Sequence, residues 1–300
     1  MQSNNEIVAS EASSVFDDLY KCGLATRATA EVLSESTRDR ERVTVIRDRV
    51  SKVIYIPEHY VGNDEYIDGS YRSAGFDKKH RSLESRSDLR RRIDTLAQYY
   101  TGKKCIDFGC GHGDFLRAVK SRSKIVTGVE IEENLVEDLR QGGIECFKSL
   151  TDVACADYDT AFLFHSFEHI PSPIKLLKAL RSILTRGGYI IIEVPSANDI
   201  LLNQLRTDEF AAFTLWSQHL ILHTPESLTR FLVTAGFHSP IVKQVQRYSL
   251  SNHLGWLLNR RPGGHQLPLS LFETMELRTS YEASLASIGA CDTLVAVAIA

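Results

Sequence analysis

The stretch KKCIDFGCGHGDFL, residues 103–116, decides the fold of this 300-residue chain. An apolar run ends on Asp107 and is followed at once by Gly109, Gly111 and Gly113. Glycine has no side chain, so three glycines in one short turn let a ligand approach the backbone closely. The pattern predicts a strand, a ligand-binding turn and the start of a helix, the first unit of a doubly wound sheet.

The spacing of these glycines separates two classes of cofactor. A dinucleotide site has the pattern GxGxxG, and its third glycine would fall on Asp114 in this chain. An acidic residue at the start of the helix is a poor neighbour for a pyrophosphate, because both groups are negatively charged. The turn therefore favours a cofactor without phosphate over a dinucleotide.

A second acidic residue follows about twenty residues after the turn. The segment KIVTGVEIEE, residues 124–133, is an apolar strand that ends on Glu130. A carboxylate at this point can accept hydrogen bonds from both hydroxyls of a ribose, which predicts a cofactor that contains a nucleoside. The alternative is a glutamate that only caps a helix; the interval between the turn and the acid favours the ribose.

Apolar runs alternate with amphipathic stretches along the rest of the chain. This alternation predicts an α/β fold with a doubly wound, mostly parallel seven-stranded sheet. The predicted strands are CIDFG (105–109), KIVTGVE (124–130), GIECFK (143–148), YDTAFLF (158–164), GGYIIIEVP (187–195), PIVKQVQ (240–246) and TLVAVAIA (293–300). The predicted helices lie at 113–121, 132–141, 173–185 and 225–235.

Two regions depart from this alternation. Near the N-terminus, RVTVIRDRVSKVIYIP (42–57) alternates in a way that predicts two short strands with a turn between them. We assign residues 1–95 to a small N-terminal subdomain and linker, and residues 96–300 to the main domain. An insertion at about 250–290 precedes the last strand and is expected to be helical over 269–287.

Composition limits the class of protein. The chain is 43% hydrophobic, 24% charged and has a formal net charge of −3, as in ordinary globular proteins, and no basic stripe with interleaved aromatic residues suggests nucleic acid. The N-terminal segment lacks the apolar core of a secretory signal, and no apolar run is long enough to span a bilayer. We expect a cytoplasmic protein, whose six scattered cysteines form neither a zinc site nor a disulfide framework.

The segments DFGCGHG, GVEIEE, FHSFEHIPSP and GGYIIIEVPS resemble the class I S-adenosylmethionine-dependent methyltransferases, over roughly residues 100–245. The resemblance implies a Rossmann-like methyltransferase fold with S-adenosyl-L-methionine as the cofactor. In that family the glycine turn contacts the methionine part, the acid after the second strand binds the ribose, and residues after the third strand flank the adenine. The cofactor-binding residues that it implies are Asp107, Gly109, Cys110, Gly111, Gly113, Glu130, Ile131, Ser149, Leu150 and His165.

The resemblance also implies candidates for the removal of a proton from the acceptor. HSFEHIPSP is similar to a segment of small-molecule methyltransferases in which a Glu-His pair, here Glu168 and His169, precedes a helix. WSQHLILHTPESL is similar to a segment of sugar methyltransferases in which a histidine, here His219, precedes a capped helix. Each of the three could instead have a structural role. In some quinone enzymes an acid three positions before this glutamate helps to bind a divalent metal. This chain has His165 at that position instead of an acid, so we expect no metal here.

The acceptor side is less clearly marked. Arg247, Arg260 and Arg261, together with aromatic residues of the insertion, suit an anionic acceptor, although the same surface suits a dimer contact. Tyr71 and Tyr66 lie in a segment similar to the linker of a group of sugar methyltransferases. The basic run DKKHRSLESRSDLRRR is read as a solvated helix face or as an anionic-substrate patch.

These observations predict methyl transfer to a small molecule, most readily a sugar or nucleotide-linked sugar, at oxygen rather than carbon or nitrogen. Two alternatives remain open at this point. One is a methyltransferase-like subunit without turnover, and the other is a nicotinamide-dependent oxidoreductase, which the glycine spacing disfavours. A homodimer is a further expectation.

Overall fold

The computed structural model describes residues 14–57, 60, 62, 67, 83–153, 157–264 and 268–300. Strands and helices are numbered here in chain order. The strands are β1 (Ala30–Ser34), β2 (Val45–Asp48), β3 (Ile54–Tyr55), β4 (Lys104–Phe108), β5 (Ile125–Val129), β6 (Glu145–Phe147), β7 (Tyr158–Phe164), β8 (Leu184–Pro195), β9 (Ile221–Leu222), β10 (His238–Val245) and β11 (Thr293–Ile299).

Seven of these strands form the main sheet, in the order β10-β11-β8-β7-β4-β5-β6. The strands β6, β5, β4, β7 and β8 are parallel, while β11 runs antiparallel between β8 and β10. The order reverses beside β4, which is where a doubly wound sheet binds its ligand. The predicted fold class is confirmed, and the glycine turn lies at this switch point.

Helices cover both faces of the main sheet. Within the described residues they are α1 (Val15–Lys21), α2 (Leu83–Thr95), α3 (Ala97–Tyr100), α4 (Asp114–Val119), α5 (Glu133–Gln141), α6 (Pro173–Ile183), α7 (Ile200–Asn203), α8 (Asp208–Thr214), α9 (Pro225–Thr234), α10 (Leu250–Asn259) and α11 (Met275–Ser287). Two large apolar clusters pack against the sheet, one containing Ile192 and Phe231 and the other Phe115 and Phe162. None of these helices is both long and apolar enough to cross a membrane.

The local reasons for these helices are visible in the sequence. Helix α9 begins with a capping box between Thr224 and Ser227, with Pro225 in its first turn. Helix α6 also begins with a proline, Pro173, and buries one apolar stripe. Helix α6 follows the end of the parallel strand β7 and leads the chain away from the edge where the site lies, whereas α9 follows the short strand β9.

A second, four-stranded sheet has the order β1-β2-β3-β9. Its strands β2 and β3 are the two short strands predicted in 42–57, and they pair antiparallel. The fourth strand, β9, comes from the segment that follows β8 and pairs with β3. The N-terminal strands are therefore joined by hydrogen bonds to the loop that carries His219. The domain division at residue 95 stays a prediction.

The region before the last strand contains more helix than the sequence predicted. Helix α10 precedes a 3-10 turn at Pro268–Phe272, and α11 follows it. The predicted helix over 269–287 corresponds to α11, which begins at Met275 after an N-cap on Thr274. The cap explains the later start, because the hydroxyl of Thr274 accepts from the amide of Leu277.

Candidate active site

The glycine turn between β4 and α4 is built as the sequence suggested. Gly109, Gly111 and Gly113 have φ values of 70°, 56° and 67°, in the left-handed region that disfavours other residues. A Cβ atom on Gly109 would lie 2.6 Å from Cβ of Ser166, and one on Gly113 would lie 2.2 Å from Cδ2 of Leu139. Backbone conformation and close packing therefore both exclude side chains larger than glycine from this turn.

Asp107, at the end of β4, is a buried carboxyl group beneath this turn. Its Oδ1 atom has no hydrogen-bond partner among the described residues, and only 2% of the residue is exposed. Burial raises the pKa of Asp107 to about 8, against a lowering by Arg92 and a further rise caused by Glu130. A cationic group of a ligand placed here would relieve the cost of ionising this buried acid.

Glu130 links the turn to the end of β5. Its Oε2 accepts a hydrogen bond of 2.7 Å from the amide of Gly111, and its Oε1 accepts one of 3.1 Å from the amide of Glu132. Each carboxylate oxygen can accept further hydrogen bonds. The two backbone donors thus fix the orientation of Glu130 and leave acceptor sites for a pair of hydroxyl groups.

A cavity of about 560 Å³ opens beside the turn, at the carboxyl ends of the parallel strands. Six of the predicted cofactor residues line it: Gly109, Glu130, Ile131, Ser149, Leu150 and His165. The other four do not: Asp107, Cys110, Gly111 and Gly113. Of these four, Cys110 packs behind the turn, where its sulfur would lie 2.8 Å from a Cβ atom on Gly128.

The residues of the far wall of the cavity were not predicted from the sequence. It consists of Ile170 and Pro171 and of one side of α6, with Lys175, Leu176, Ala179 and Ile183 among its residues. The apolar spacing of α6 indicates only that some face is buried, and does not show which positions border a cavity. Tyr60 also lines this cavity, whereas Tyr66 and Tyr71 lie outside the described residues.

A cluster of three histidines surrounds one buried carboxylate, Glu168. The Nδ1 atom of His165 lies 3.4 Å from Oε1 of Glu168, and Nε2 of His169 lies 4.0 Å from the same atom. The ring centroids of His169 and His219 are 5.1 Å apart. The cluster joins the end of β7 to the loop before β9, two segments about fifty residues apart in the chain. Of this cluster, His165 and His169 line the cavity.

His165 has an unusual backbone for a residue with a side chain. It directly follows β7 with φ of 53°, a left-handed conformation that costs free energy outside glycine. Its amide donates to the carbonyl of Glu193 at 2.8 Å, which holds the chain in this turn. The conformation directs the ring between Glu168 and Glu193, and the residue lines the cavity.

The electrostatics of the cluster determine the protonation states of Glu168 and His219. Burial raises the pKa of Glu168, but the hydrogen bond from His165 and the neighbouring histidines outweigh it and lower that pKa to about 2. Burial and the neighbouring His169 lower the pKa of His219 to about 3, against an opposing effect of Glu168. At neutral pH the site therefore presents a carboxylate beside the neutral ring of His219, and so low a pKa makes that ring a weak base.

The same groups could also hold a metal ion. One ligand atom each from Glu168, His169 and His219 lie within 4.8 Å of one another. The Nδ1 atom of His169 is 2.8 Å from the carbonyl oxygen of Gln218, so the neutral ring carries its proton there and keeps the Nε2 lone pair. Three such ligands suit a divalent transition metal. The expectation that none is bound stays a prediction.

The loop that carries His219 is held by the N-terminal region, which sequence reasoning did not foresee. The carboxylate of Asp39 accepts from the amide and the hydroxyl of Ser217 at 3.0 and 2.6 Å. The guanidinium of Arg38 lies 4.7 Å from the ring centroid of Trp216, the residue before Ser217. After His219, the amide of Ile56 donates to the carbonyl of Leu220. No sequence spacing relates positions so far apart.

The predicted acceptor-side arginines are differently placed. Arg247 donates to Asp88 through Nε at 2.8 Å and Nη2 at 2.5 Å, so its guanidinium is engaged in a buried ion pair. Arg260 pairs with Glu209 at 2.6 Å, and Arg261 is exposed. The assignment of these residues to the acceptor stays a prediction.

The last two arginines of the basic run contact a buried acid, whereas Arg90 before them is exposed. Arg91 and Arg92, on α2, both bond to the buried Glu193 of β8. One signal could have indicated this contact: Glu193 stands alone in the apolar strand GGYIIIEVP, and a buried acid needs a cationic partner. The residues before 83 in this run lie outside the described part of the chain.

Comparisons with known proteins agree with this geometry. The family model described as a methyltransferase domain matches residues 79–239, more than half of the chain. The ubiquinone biosynthesis O-methyltransferase of Idiomarina loihiensis is 32% identical over 107 residues, covering 32% of this chain and 44% of its own. That of Histophilus somni is 28% identical over 112 residues, covering 33% and 47%. The chain thus spans about half the length of the curated relatives it matches.

Two solved structures show a related fold. A SAM-dependent methyltransferase of Archaeoglobus fulgidus is 20% identical with a TM-score of 0.51, covering 72% of this chain and 95% of its own. The phosphoethanolamine N-methyltransferase 2 of Haemonchus contortus, in complex with S-adenosyl-L-methionine, is 16% identical with a TM-score of 0.51, covering 81% and 61%. At these identities the likeness concerns the fold alone.

Proposed function

The chain belongs to the methyltransferase domain family, and from that premise we propose that it transfers a methyl group from S-adenosyl-L-methionine to a hydroxyl group of a small molecule. One observation carries the proposal: a single cavity is bordered by Glu130 and the glycine turn on one side and by His165 and His169 on the other. A nucleoside cofactor and a proton acceptor are thereby brought to one place.

The residues of the turn fit this cofactor. Glu130 has acceptor sites for the two ribose hydroxyls, and Asp107 has an unpartnered buried oxygen suited to the ammonium of the methionine part. Ser149 and Leu150 border the cavity where adenine is expected. When bound, S-adenosyl-L-methionine supplies an electrophilic methyl group, so the protein needs to align the acceptor and remove its proton.

The histidine cluster supplies the proton acceptor. We assign the general base to His169, since it borders the cavity, keeps the lone pair on Nε2 and lies beside the Glu168 carboxylate, which stabilises the imidazolium that forms when it takes a proton. His219, whose ring centroid lies 5.1 Å from that of His169, is the alternative base, and its pKa of about 3 disfavours proton transfer to its ring at neutral pH. Burial of the cluster excludes water and strengthens the effect of Glu168.

Two acceptor classes fit a hydroxyl-directed site. The sequence predicts a sugar or nucleotide-linked sugar, for which Arg261 is an exposed arginine of the insertion. The matched relatives are named for ubiquinone biosynthesis, which favours a phenolic ring hydroxyl instead. Arg247 and Arg260 are engaged in ion pairs, and this weakens the support for an anionic sugar nucleotide. Of the two, we propose the neutral or phenolic hydroxyl first.

The family membership removes the ground for a nicotinamide-dependent enzyme, while a methyltransferase-like subunit without turnover remains the competing proposal. Cytoplasmic location and a homodimer likewise stay proposals. The test has two stages. S-adenosylhomocysteine is titrated into the protein by calorimetry, with NADH as the comparison ligand. Consumption of S-adenosyl-L-methionine is then screened by mass spectrometry against catechols, quinone precursors and nucleotide sugars. Binding of the first ligand with no turnover of any acceptor would favour the silent subunit.

A further inference from the structure

Glu193 is a fully buried carboxylate in the middle strand region of the main sheet. Arg91 donates to its Oε2 and Oε1 at 3.0 and 2.8 Å, and Arg92 donates to the same atoms at 3.3 and 2.7 Å. His165 Nε2 lies 3.3 Å from Oε1. A carboxylate with no exposed surface is thus shared by two cations of α2 and by a residue of the cofactor cavity.

Glu193 and Asp107 lie on one face of the sheet, at the same edge. Asp107 of β4 is in register with Phe162 of β7, and Glu193 of β8 is in register with Phe164 of β7. Because side chains two residues apart share a face, both acids project on the face of these rings. Two strand spacings and a two-residue offset along β7, about 12 Å in all, separate the acids.

Arg92 lies over β7, the strand that separates the two acids. Its guanidinium lies 4.3 Å from the centroid of the Phe164 ring, on the strand between β4 and β8. Its hydrogen bonds go to Glu193, while Oδ1 of Asp107 has no partner among the described residues. Arg92 is also the cation that lowers the pKa of Asp107, whereas Arg91 is not among the causes.

These positions create a competition. A guanidinium released from Glu193 would meet Asp107 on its own face of the sheet, where Oδ1 has no hydrogen-bond partner among the described residues, and would form an ion pair with it. The ammonium of the cofactor's methionine part would then have to displace an internal cation. Glu193 prevents this by binding Arg92 with two hydrogen bonds while the Phe164 ring holds the guanidinium plane.

We propose that Glu193 is a positioning residue that keeps Arg92 away from Asp107, so that Asp107 stays available to the ammonium of an adenosyl amino acid. The proposal rests on the proposed function for the identity of the ligand. It assigns a binding role to a residue that touches neither ligand nor cavity, and it explains why an acid stands in an otherwise apolar central strand.

The test compares two ligands that differ in the amino acid part. S-adenosylhomocysteine carries the ammonium, and methylthioadenosine lacks it. In Glu193→Gln, we expect the calorimetric Kd of S-adenosylhomocysteine to rise about tenfold or more, and that of methylthioadenosine to change by less than about twofold. A merely structural role of Glu193 would weaken both ligands equally, and that result would overturn the proposal, as would no change for either.

A pair of double variants supplies the matched control. Adding Arg92→Met to Glu193→Gln removes the competing cation and restores the affinity for S-adenosylhomocysteine, whereas adding Arg91→Met does not. Equal rescue by both, or by neither, would contradict the mechanism. If Glu193→Gln does not fold, as judged by circular dichroism, Glu193→Asp keeps the charge with a shorter reach and gives the same split between ligands. Failure of the wild type to bind either ligand would instead refute the proposed function.

Discussion

The two walls of the cavity are built in opposite ways. The cofactor side comes mainly from one continuous segment, Asp107 to Glu130, in which a strand, a turn and the next strand end supply the proposed contacts to the ribose and to the ammonium. The acceptor side joins His165, Glu168 and His169 to His219, and its loop is held by the N-terminal sheet. The comparison teaches that binding of the cofactor is a local property of the chain, whereas the base depends on tertiary packing.

The largest effect should come from the acceptor side. We expect His169→Ala to lower turnover by about 10²–10⁴-fold with the acceptor found in the screen, because a general base is lost. The Kd of S-adenosylhomocysteine should stay unchanged, since the cofactor side does not include this residue. Initial rates and calorimetry measure the two quantities.

His238→Ala is the matched control, because His238 is an exposed histidine at the start of β10. It should retain the wild-type rate. If His169→Ala also keeps that rate while His219→Ala does not, the base is His219 and the assignment within the cluster is wrong. If both keep it, the two walls do not divide binding from proton transfer in the way proposed.

The next effect belongs to the cofactor side. Glu130→Ala should weaken S-adenosylhomocysteine by about 1–3 kcal/mol, since hydrogen bonds to a charged group are lost. Turnover at saturating cofactor should fall much less than in His169→Ala. Calorimetry checks the affinity, with the exposed Glu137→Ala as a control that should bind as the wild type does. Unchanged affinity in Glu130→Ala would remove this residue from the ribose site.

The ionisation of Asp107 should make the binding of the cofactor, and not the transfer of the acceptor's proton, depend on pH. Burial raises the pKa of this acid to about 8, and a bound ammonium favours its ionised form. The complex therefore has the lower pKa, so affinity should rise with pH by up to about tenfold per unit between about pH 6 and pH 8, with release of a proton. Calorimetry in buffers of different ionisation enthalpy measures that proton. Asp107→Asn should abolish the release, and a flat profile in the wild type would contradict the placement of the ammonium.

The smallest effect should come from the N-terminal support of the His219 loop. Asp39→Ala removes two hydrogen bonds to Ser217 and should lower turnover a few-fold, with about 1 kcal/mol lost from the support of the loop. In a Trp256→Phe background Trp216 is the single tryptophan, so its emission and quenching report the loop directly. Asp39→Asn keeps one acceptor oxygen, so its turnover should lie between those of the wild type and Asp39→Ala. An unchanged Trp216 signal in Asp39→Ala would show that this contact does not hold the loop.

Much of the fold could be predicted because its signals are local. The strand ends at Asp107 and Glu130, the capped start of α9 at Thr224 and the apolar central strands each depend on residues close in sequence. The left-handed conformation of the turn could also be predicted from its glycines, since few other residues adopt that conformation. Chain order then places these elements in a doubly wound sheet.

The rest depends on contacts that no local pattern encodes. The pairing of β3 with β9 and the contact of Asp39 with Ser217 join positions more than 150 residues apart. The direction of Arg91 and Arg92 likewise depended on which face of α2 meets the sheet. A buried acid such as Glu193 indicates that a cationic partner is needed, but the sequence does not show which of the chain's many arginines is that partner.

The most direct test of the central claim is a crystal structure of the protein with S-adenosylhomocysteine. The account predicts that both ribose hydroxyls lie within hydrogen-bond distance of Glu130, and that the ammonium lies within hydrogen-bond distance of Asp107. Arg92 should remain on Glu193. An adenosyl group bound outside this cavity, or Arg92 paired with Asp107 beside the bound ligand, would contradict it.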